Sequence, residues 1–153
     1  MGIDNSHNYD YNIDMKYRNA FVFLYCILGI ISLLTGLFVY LIFRPDTYVS
    51  RFVMQLISVN LSALTTYDSS FVKFYLADYL WAFSLSCWLH AIFMPEIRGT
   101  LLCTVTVFVF GSLYEYMQYT NIIAGTGDII DSLLYLLAGF TVNIIIIFKE
   151  IRK

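Results

Sequence analysis

The sequence predicts an all-α membrane protein with four transmembrane helices and one interfacial or partly inserted amphipathic helix. Apolar residues make up 59% of its 153 residues and charged residues 13%, against about 45–50% and 25% in soluble domains. Four apolar runs reach the length of about 20 residues that a helix needs to cross the hydrocarbon core. A fifth run carries a polar stripe at helical spacing.

Net charge and cysteine placement exclude several classes of protein. A net charge of −2 gives no basis for binding nucleic acid, which requires clustered Lys and Arg. Cys26, Cys87 and Cys103 are dispersed in apolar runs, so they predict packing residues rather than a disulfide framework or a zinc site. Neither His7 nor His90 has a metal-ligand partner at helical spacing. We therefore expect no cofactor, with a divalent cation as the open alternative.

The first span is predicted at residues 19–43, after a polar and acidic segment at residues 1–18. That segment lacks the basic region and small-residue cleavage site of a signal peptide, which predicts a retained anchor. The span holds no charged residue. Pro45 follows it, and proline lacks the backbone donor that a continuing helix would need.

Residues 44–74 form a predicted outer loop that contains an amphipathic helix at residues 49–66. Its polar stripe consists of Arg51, Gln55, Ser58, Ser62 and Thr65. This periodicity is typical of a helix that lies in the membrane interface or lines a polar interior. Because the uncharged stretch before Asp68 is short for a crossing, we favour an interfacial or partly inserted helix over a fifth span.

Three more spans and a basic tail follow, at residues 75–94, 100–120, 129–148 and 149–153. Asp78 lies in the first turn of the second span, where the helix dipole favours a carboxylate. Either Thr126 or Asp128 is placed to cap the fourth span, because the first backbone donors of a helix lack intrahelical partners.

The distribution of basic residues predicts the orientation. With four spans, one side carries Lys16, Arg18, Arg98, Lys149, Arg152 and Lys153, and the other carries Arg44, Arg51 and Lys73. The first side is therefore expected to be cytoplasmic, with both termini inside. If residues 49–66 also crossed, the N-terminus would lie outside, but the last two helices would keep their orientation.

Polar residues concentrate at the outer ends of the last two spans. Glu115 and Gln118 are three residues apart and share a helix face, as do Asp128, Asp131 and Tyr135. A short connection makes these helices antiparallel neighbours, so the two faces can meet.

The connection and the second span complete this polar layer. Gly125 and Gly127 suit a turn that requires positive φ or close backbone approach, and Asp78 enters the layer from the second span. Four carboxylates at one depth cannot all stay ionised without compensation, because like charges destabilise one another. The compensation could be a proton, a bound cation, or a basic residue folded over the site, namely Arg44, Arg51 or Lys73.

The motif Glu115-x-x-Gln118, followed by a short loop and Asp128-x-x-Asp131, resembles the C-terminal signature of VanZ-like membrane proteins. The segment from Asp78 to Ser84, an acid followed by aromatic residues, is similar to an earlier element of that family. The resemblance covers residues 75–142. It implies a bacterial inner- or plasma-membrane protein with a role in the cell envelope, and the family's namesake is associated with resistance to the glycopeptide antibiotic teicoplanin.

The chain departs from the family pattern at several positions. Gly125-Thr126 stands where members usually carry an arginine, and Tyr135 replaces a usual asparagine. Tyr79 and Ala82 stand in place of a common lysine and histidine.

We expect the acids and their polar neighbours at the outer ends of the spans to form an acidic pocket in the outer leaflet. This pocket is expected to bind an envelope lipid headgroup or glycan precursor, a glycopeptide-related ligand or a cation. The candidate binding residues are Asp78, Trp81, Glu115, Gln118, Thr126, Asp128, Asp131 and Tyr135. Trp81 also belongs to a stripe with Leu85 and Trp88 that favours packing or lipid contact. The alternative is an oligomeric sensor, pore or scaffold subunit whose acids form hydrogen bonds between helices. A metal- or carboxylate-dependent lipid-modifying enzyme is a third interpretation.

Overall fold

The structure, a computed structural model, describes residues 6–44, 47–57, 72–93 and 97–150. In these ranges the chain forms five α-helices: α1 (Ser6–Phe43), α2 (Tyr48–Ile57), α3 (Ala77–Phe93), α4 (Ile97–Tyr119) and α5 (Ile129–Glu150). A π-helical turn, Val72–Leu76, leads directly into α3. The predicted all-helical class is confirmed.

Three helices are long and apolar enough to cross a membrane, as expected of a multi-pass membrane protein. Their candidate spans are Arg18–Phe43, Phe74–Phe93 and Gly99–Tyr119. In α5 the apolar segment within the described residues is shorter, Ile129–Ile145. Helix α1 continues backward through most of the polar N-terminal segment, because residues 6–18 contain neither proline nor glycine to interrupt it.

Helix α2 covers the first part of the predicted amphipathic helix, whose remaining residues, 58–66, lie outside the described residues. Pro45 and Pro95 also lie outside them. Thr47 caps α2, since its Oγ1 accepts a hydrogen bond from the backbone N–H of Ser50 at 3.4 Å. Phe52 and Leu56 lie one turn apart and are 55% and 74% exposed. These two side chains therefore have little contact with the rest of the described chain.

Helix α3 lies at the centre of the bundle and contacts α1, α4 and α5. Its buried residues are mostly small or polar, including Ala82, Ser84 and Cys87, whereas large apolar side chains such as Phe23 and Leu102 are about two-thirds exposed. This arrangement is expected in lipid, where small residues allow close helix approach and apolar side chains face the hydrocarbon.

Hydrogen bonds between helices fix their directions. Ser32 Oγ donates to the carbonyl of Leu80 at 2.9 Å, and Ser84 Oγ donates to that of Gly29 at 2.8 Å, so α1 and α3 run antiparallel. Helices α4 and α5 are joined by residues 120–128 and are also antiparallel. The Tyr75 hydroxyl, just before α3, donates to Oδ2 of Asp128, just before α5. The C-termini of α1 and α4 therefore lie at the same end of the bundle as the N-termini of α3 and α5.

The C-terminus of α4 is closed by a residue in the left-handed conformation. Asn121 has φ of 58°, and its N–H donates to the carbonyl of Gln118 at 2.9 Å. The next N–H, that of Ile122, donates to the carbonyl of Met117 at 2.9 Å. These bonds form a Schellman motif, in which asparagine takes the place usually held by glycine.

Candidate functional site

A cavity of about 640 Å³ opens at the end of the bundle where α1 and α4 end and α3 and α5 begin. Its volume lies within the range of about 300–1,000 Å³ that is typical of small-molecule sites. The structure brings seven of the eight candidate residues to its wall: Asp78, Trp81, Glu115, Gln118, Thr126, Asp131 and Tyr135. Residues outside that candidate set also line it, notably Tyr40, Arg44, Phe110 and Tyr114.

Glu115 joins α4 to the start of α5. Its side chain is only 6% exposed. Oε1 accepts a hydrogen bond from the Tyr135 hydroxyl at 2.7 Å, and Oε2 accepts one from the backbone N–H of Asp128 at 3.1 Å. Both carboxylate oxygens are therefore engaged by the protein itself.

Asp128 is the one candidate residue that does not line the cavity. Its Oδ1 accepts a hydrogen bond from the N–H of Ile130 at 2.9 Å, which makes it the N-cap of α5. Its Oδ2 accepts one from the Tyr75 hydroxyl at 3.3 Å. Of the two predicted caps, the structure therefore selects Asp128 over Thr126. Asp128 borders a second, more open hollow of about 510 Å³.

Arg44 is the basic residue that compensates one of the acids. Its Nη2 lies 3.6 Å from Oδ2 of Asp78 and donates to the carbonyl of Phe74 at 3.0 Å. The guanidinium also lies over the ring of Tyr40, 5.5 Å from its centroid. At 3.6 Å the ion pair is longer than the 2.7–2.9 Å of a charge-assisted hydrogen bond, so Arg44 and Asp78 attract each other without a close bond.

Asp131 differs from the other three acids. It lies in the first turn of α5 and is only 8% exposed. Its Oδ1 is buried and has no hydrogen-bond partner among the described residues. Because the helix dipole offsets only part of the cost of burying a carboxylate, Asp131 is the acid whose charge the surrounding protein compensates least.

The connection between α4 and α5 approaches both helices closely. Gly125 has φ of 145°, and a Cβ there would collide with the side-chain amide of Gln118. A Cβ at Gly127 would collide with the backbone of α4 at Glu115 and Tyr119. The two glycines thus supply the positive φ and the close approach that the sequence predicts for this turn.

Trp81 both packs and lines the cavity. Its ring lies 5.3 Å from that of Tyr40, tilted by 37°, and it covers Gly36 of α1, where a Cβ would meet the indole. The packing role expected of the stripe therefore coexists with a place on the cavity wall.

No group of three or more His, Cys, Asp or Glu side chains in the described ranges is arranged to hold a metal ion. The three cysteines are free thiols. Of the acids on the cavity wall, Glu115 accepts two hydrogen bonds, and Asp78 forms an ion pair with Arg44 at 3.6 Å. Among the described residues, Asp131 is therefore the acid on the cavity wall that has neither an ion pair nor a hydrogen bond at Oδ1.

A second polar cluster, which the sequence patterns above do not predict, lies deeper in the bundle. The ring nitrogens of His90 lie 2.7 Å from the carbonyl of Ser86 and 3.1 Å from Oδ1 of Asn143. The amide of Asn143 donates to Thr104 Oγ1 at 2.8 Å. This cluster joins α3, α4 and α5. The sequence signal that could have found it is that each of these polar residues stands alone in an otherwise apolar helix. Such residues in membrane helices usually face the bundle interior and pair with one another.

Arg44 and Tyr40 were also outside the predicted binding set, although Arg44 was considered as compensation. Their signal is the i, i+4 spacing that places both on one face at the end of α1.

Comparison of the chain with known protein families, with curated proteins and with solved structures gives no match. The resemblance to VanZ-like proteins therefore depends on the motif residues alone.

Proposed function

We propose that this chain is a VanZ-like bacterial membrane protein whose cavity binds an envelope lipid headgroup, a glycopeptide-related ligand or a cation from the outer side. The observation that carries this proposal is the cavity of about 640 Å³ between Arg44, Asp78 and Asp131. A space of this size with one ion pair and one uncompensated acid on its wall suits a small polar group.

The proposal includes four spans, with α5 as the fourth and both termini in the cytoplasm. Helix α5 has 22 residues, which at 1.5 Å per residue give about 33 Å, enough for a hydrocarbon core of about 30 Å. In this topology the cavity faces outward, and the exposed apolar face of α2 lies in the outer interface.

A specific observation also favours a second candidate, a non-enzymatic membrane subunit whose acids hold the helices together. Glu115 is hydrogen-bonded to Tyr135 and Asp128, as that candidate requires. Asp131 has no such bond. The acids therefore divide into a structural pair, Glu115 and Asp128, and a candidate ligand-binding acid.

Cysteine labelling in intact cells tests the orientation. Ala124 is exposed and lines the cavity, so an Ala124→Cys variant should react with a membrane-impermeant maleimide added outside. Gly99→Cys, at the other end of α4, is the matched control and should react only after permeabilisation. The parent chain sets the background, since it carries the half-buried Cys26 as well as the buried Cys87 and Cys103. Absence of labelling at position 124 in intact cells would contradict the proposal.

Two isosteric substitutions separate the two candidates. Asp131→Asn should leave assembly intact and abolish ligand binding if the cavity is a binding site. Glu115→Gln should weaken assembly, because it removes the charge from two hydrogen bonds. If Asp131→Asn disrupts assembly as strongly as Glu115→Gln, the binding function fails and the second candidate stands.

A further inference from the structure

We propose that the cavity binds a zwitterion, with a protonated primary amine at Asp131 and an anionic group at Arg44, the chemistry of a phosphoethanolamine headgroup. This inference rests on the proposed function and names the ligand class of the same cavity.

Asp131 is the first reason for an amine. It is more than nine-tenths buried, lines the cavity, and has an oxygen without a hydrogen-bond partner in the part of the chain that the structure describes. A buried carboxylate is costly unless a charged partner compensates it. A primary ammonium supplies both the opposite charge and three N–H donors. Because χ2 of aspartate is broad and roughly two-fold, either oxygen can turn toward such a donor.

Aromatic side chains on the same wall are the second reason. Tyr40, Trp81, Phe110 and Tyr114 line the cavity together with Asp131. Cations are attracted to aromatic faces, and ammonium ligands are commonly bound by cages of aromatic rings. A wall of this composition suits an organic cation better than a hydrated inorganic one.

The arrangement of the acids argues against a divalent metal ion as the occupant. Calcium and magnesium require several oxygen ligands around one point. Glu115 already accepts two hydrogen bonds and Asp78 is paired electrostatically with Arg44 at 3.6 Å, so among the described residues only Asp131 lacks a charged partner or a hydrogen bond at Oδ1. In the described ranges no set of three such residues is placed to hold a metal.

Arg44 supplies the second point of recognition. A guanidinium has five N–H donors in a planar fork that fits phosphate and carboxylate groups. The structure uses Nη2 toward Phe74 and places Asp78 at 3.6 Å, beyond close hydrogen-bond distance. An anionic group entering the cavity can therefore bind Arg44, while the amine of the same ligand compensates Asp131.

The test uses the full-length Ala124→Cys protein in lipid nanodiscs, with the rate of labelling by an impermeant maleimide as the readout. Phosphatidylglycerol nanodiscs, which lack an amine, give the reference rate. Adding phosphatidylethanolamine should slow labelling by roughly tenfold, as expected of a charge-assisted hydrogen bond. Phosphatidylcholine, which has no N–H donor, should protect less. Free phosphoethanolamine added to phosphatidylglycerol nanodiscs distinguishes a soluble ligand from a lipid.

Variants assign the protection to Asp131. Asp131→Asn should abolish the difference between the ethanolamine and glycerol lipids, whereas Asp131→Glu, which keeps the charge, should retain it. Asp14→Asn, a matched change near the other end of α1, should behave as the parent. Size-exclusion chromatography confirms that each variant is folded.

The outcomes separate the two proposals. Equal protection by phosphatidylethanolamine and phosphatidylcholine, each relative to phosphatidylglycerol, overturns the amine assignment and leaves a binding cavity. Protection by ethanolamine lipid that persists in Asp131→Asn also overturns the assignment of the amine to Asp131. If position 124 reacts at the reference rate with every lipid and with free phosphoethanolamine, both the zwitterion proposal and headgroup binding fail.

Discussion

The hydroxyl of Tyr135 donates a 2.7 Å hydrogen bond to Oε1 of Glu115, which ties the second turn of α5 to the last turns of α4. The other oxygen of Glu115 accepts the N–H that starts α5, at Asp128. One carboxylate thus closes the α4–α5 pair at two points. Its burial is compensated within the protein, whereas Oδ1 of Asp131 has no hydrogen-bond partner among the described residues.

Tyr135→Phe should destabilise the protein by about 1.5–3 kcal/mol, the range for a hydrogen bond to a charged group. Tyr79→Phe is the matched control, since its hydroxyl donates to a neutral acceptor, Thr141 Oγ1, at 3.1 Å, and should cost about 0.5–1.5 kcal/mol. Unfolding in detergent measures both. Equal losses of stability would show that the hydrogen bond from Tyr135 to Glu115 is no stronger than one to a neutral acceptor.

Gly111→Ala should also weaken the α4–α5 contact, because a Cβ at this position would collide with the ring of Tyr135. Overpacking typically costs about 1–3 kcal/mol, which exceeds the gain of about 1 kcal/mol in helix propensity. Ser112→Ala is the neighbouring control, and its effect should be neutral or slightly stabilising, because Ser112 Oγ is buried without a described partner. Thermal melting in detergent distinguishes them, and a raised melting temperature for Gly111→Ala would contradict the packing.

Asn143→Leu should destabilise the bundle by about 0.6–1.7 kcal/mol, the range for hydrogen bonds between membrane helices. The change leaves His90 and Thr104 without the amide that links them. Thr106→Val is the control, since among the described residues the Thr106 hydroxyl donates to the Leu102 carbonyl of its own helix rather than to another helix. That change should stay within about 0.5 kcal/mol. Equal effects in the same unfolding assay would mean that the cluster does not join the helices.

Two substitutions at Asn121 should change the free energy of unfolding in different directions. Asn121→Ala should cost about 1 kcal/mol, because alanine is disfavoured in the left-handed conformation that this residue adopts. Asn121→Gly should be neutral or stabilising, since glycine is the usual residue at this cap. Chemical unfolding of both variants checks the sign, and two equal losses would indicate that the side chain matters more than the backbone conformation.

The helices were largely predictable because composition and helix length are local properties of the sequence. The end of α1 at Phe43 and the first-turn position of Asp78 match the predicted spans. The backward extension of α1 to Ser6 was not predicted, because polar composition was taken to mark a separate segment. Helix formation in residues 6–18 depends on the absence of proline and glycine, which a hydropathy profile does not detect.

The roles of the acids were less predictable than their location. Spacing placed Glu115, Asp128 and Asp131 at one end of the bundle, but it could not tell which oxygens would accept hydrogen bonds. That distinction depends on the rotation of α4 against α5 and on the turn at Asn121, which are tertiary properties. The contact between His90 and Asn143 likewise joins residues 53 positions apart, beyond any periodicity within one helix.

The cavity lies between two helix pairs that come from different halves of the chain. The first half contributes Arg44, directly after α1, and Asp78 of α3, whereas the second half contributes Glu115 of α4 and Asp131 of α5. A gene divided between residues 96 and 97 would therefore encode two membrane fragments, neither of which contains the complete cavity wall. Because packing of preformed helices can follow insertion, co-expression of the fragments should restore protection of position 124, and either fragment alone should not.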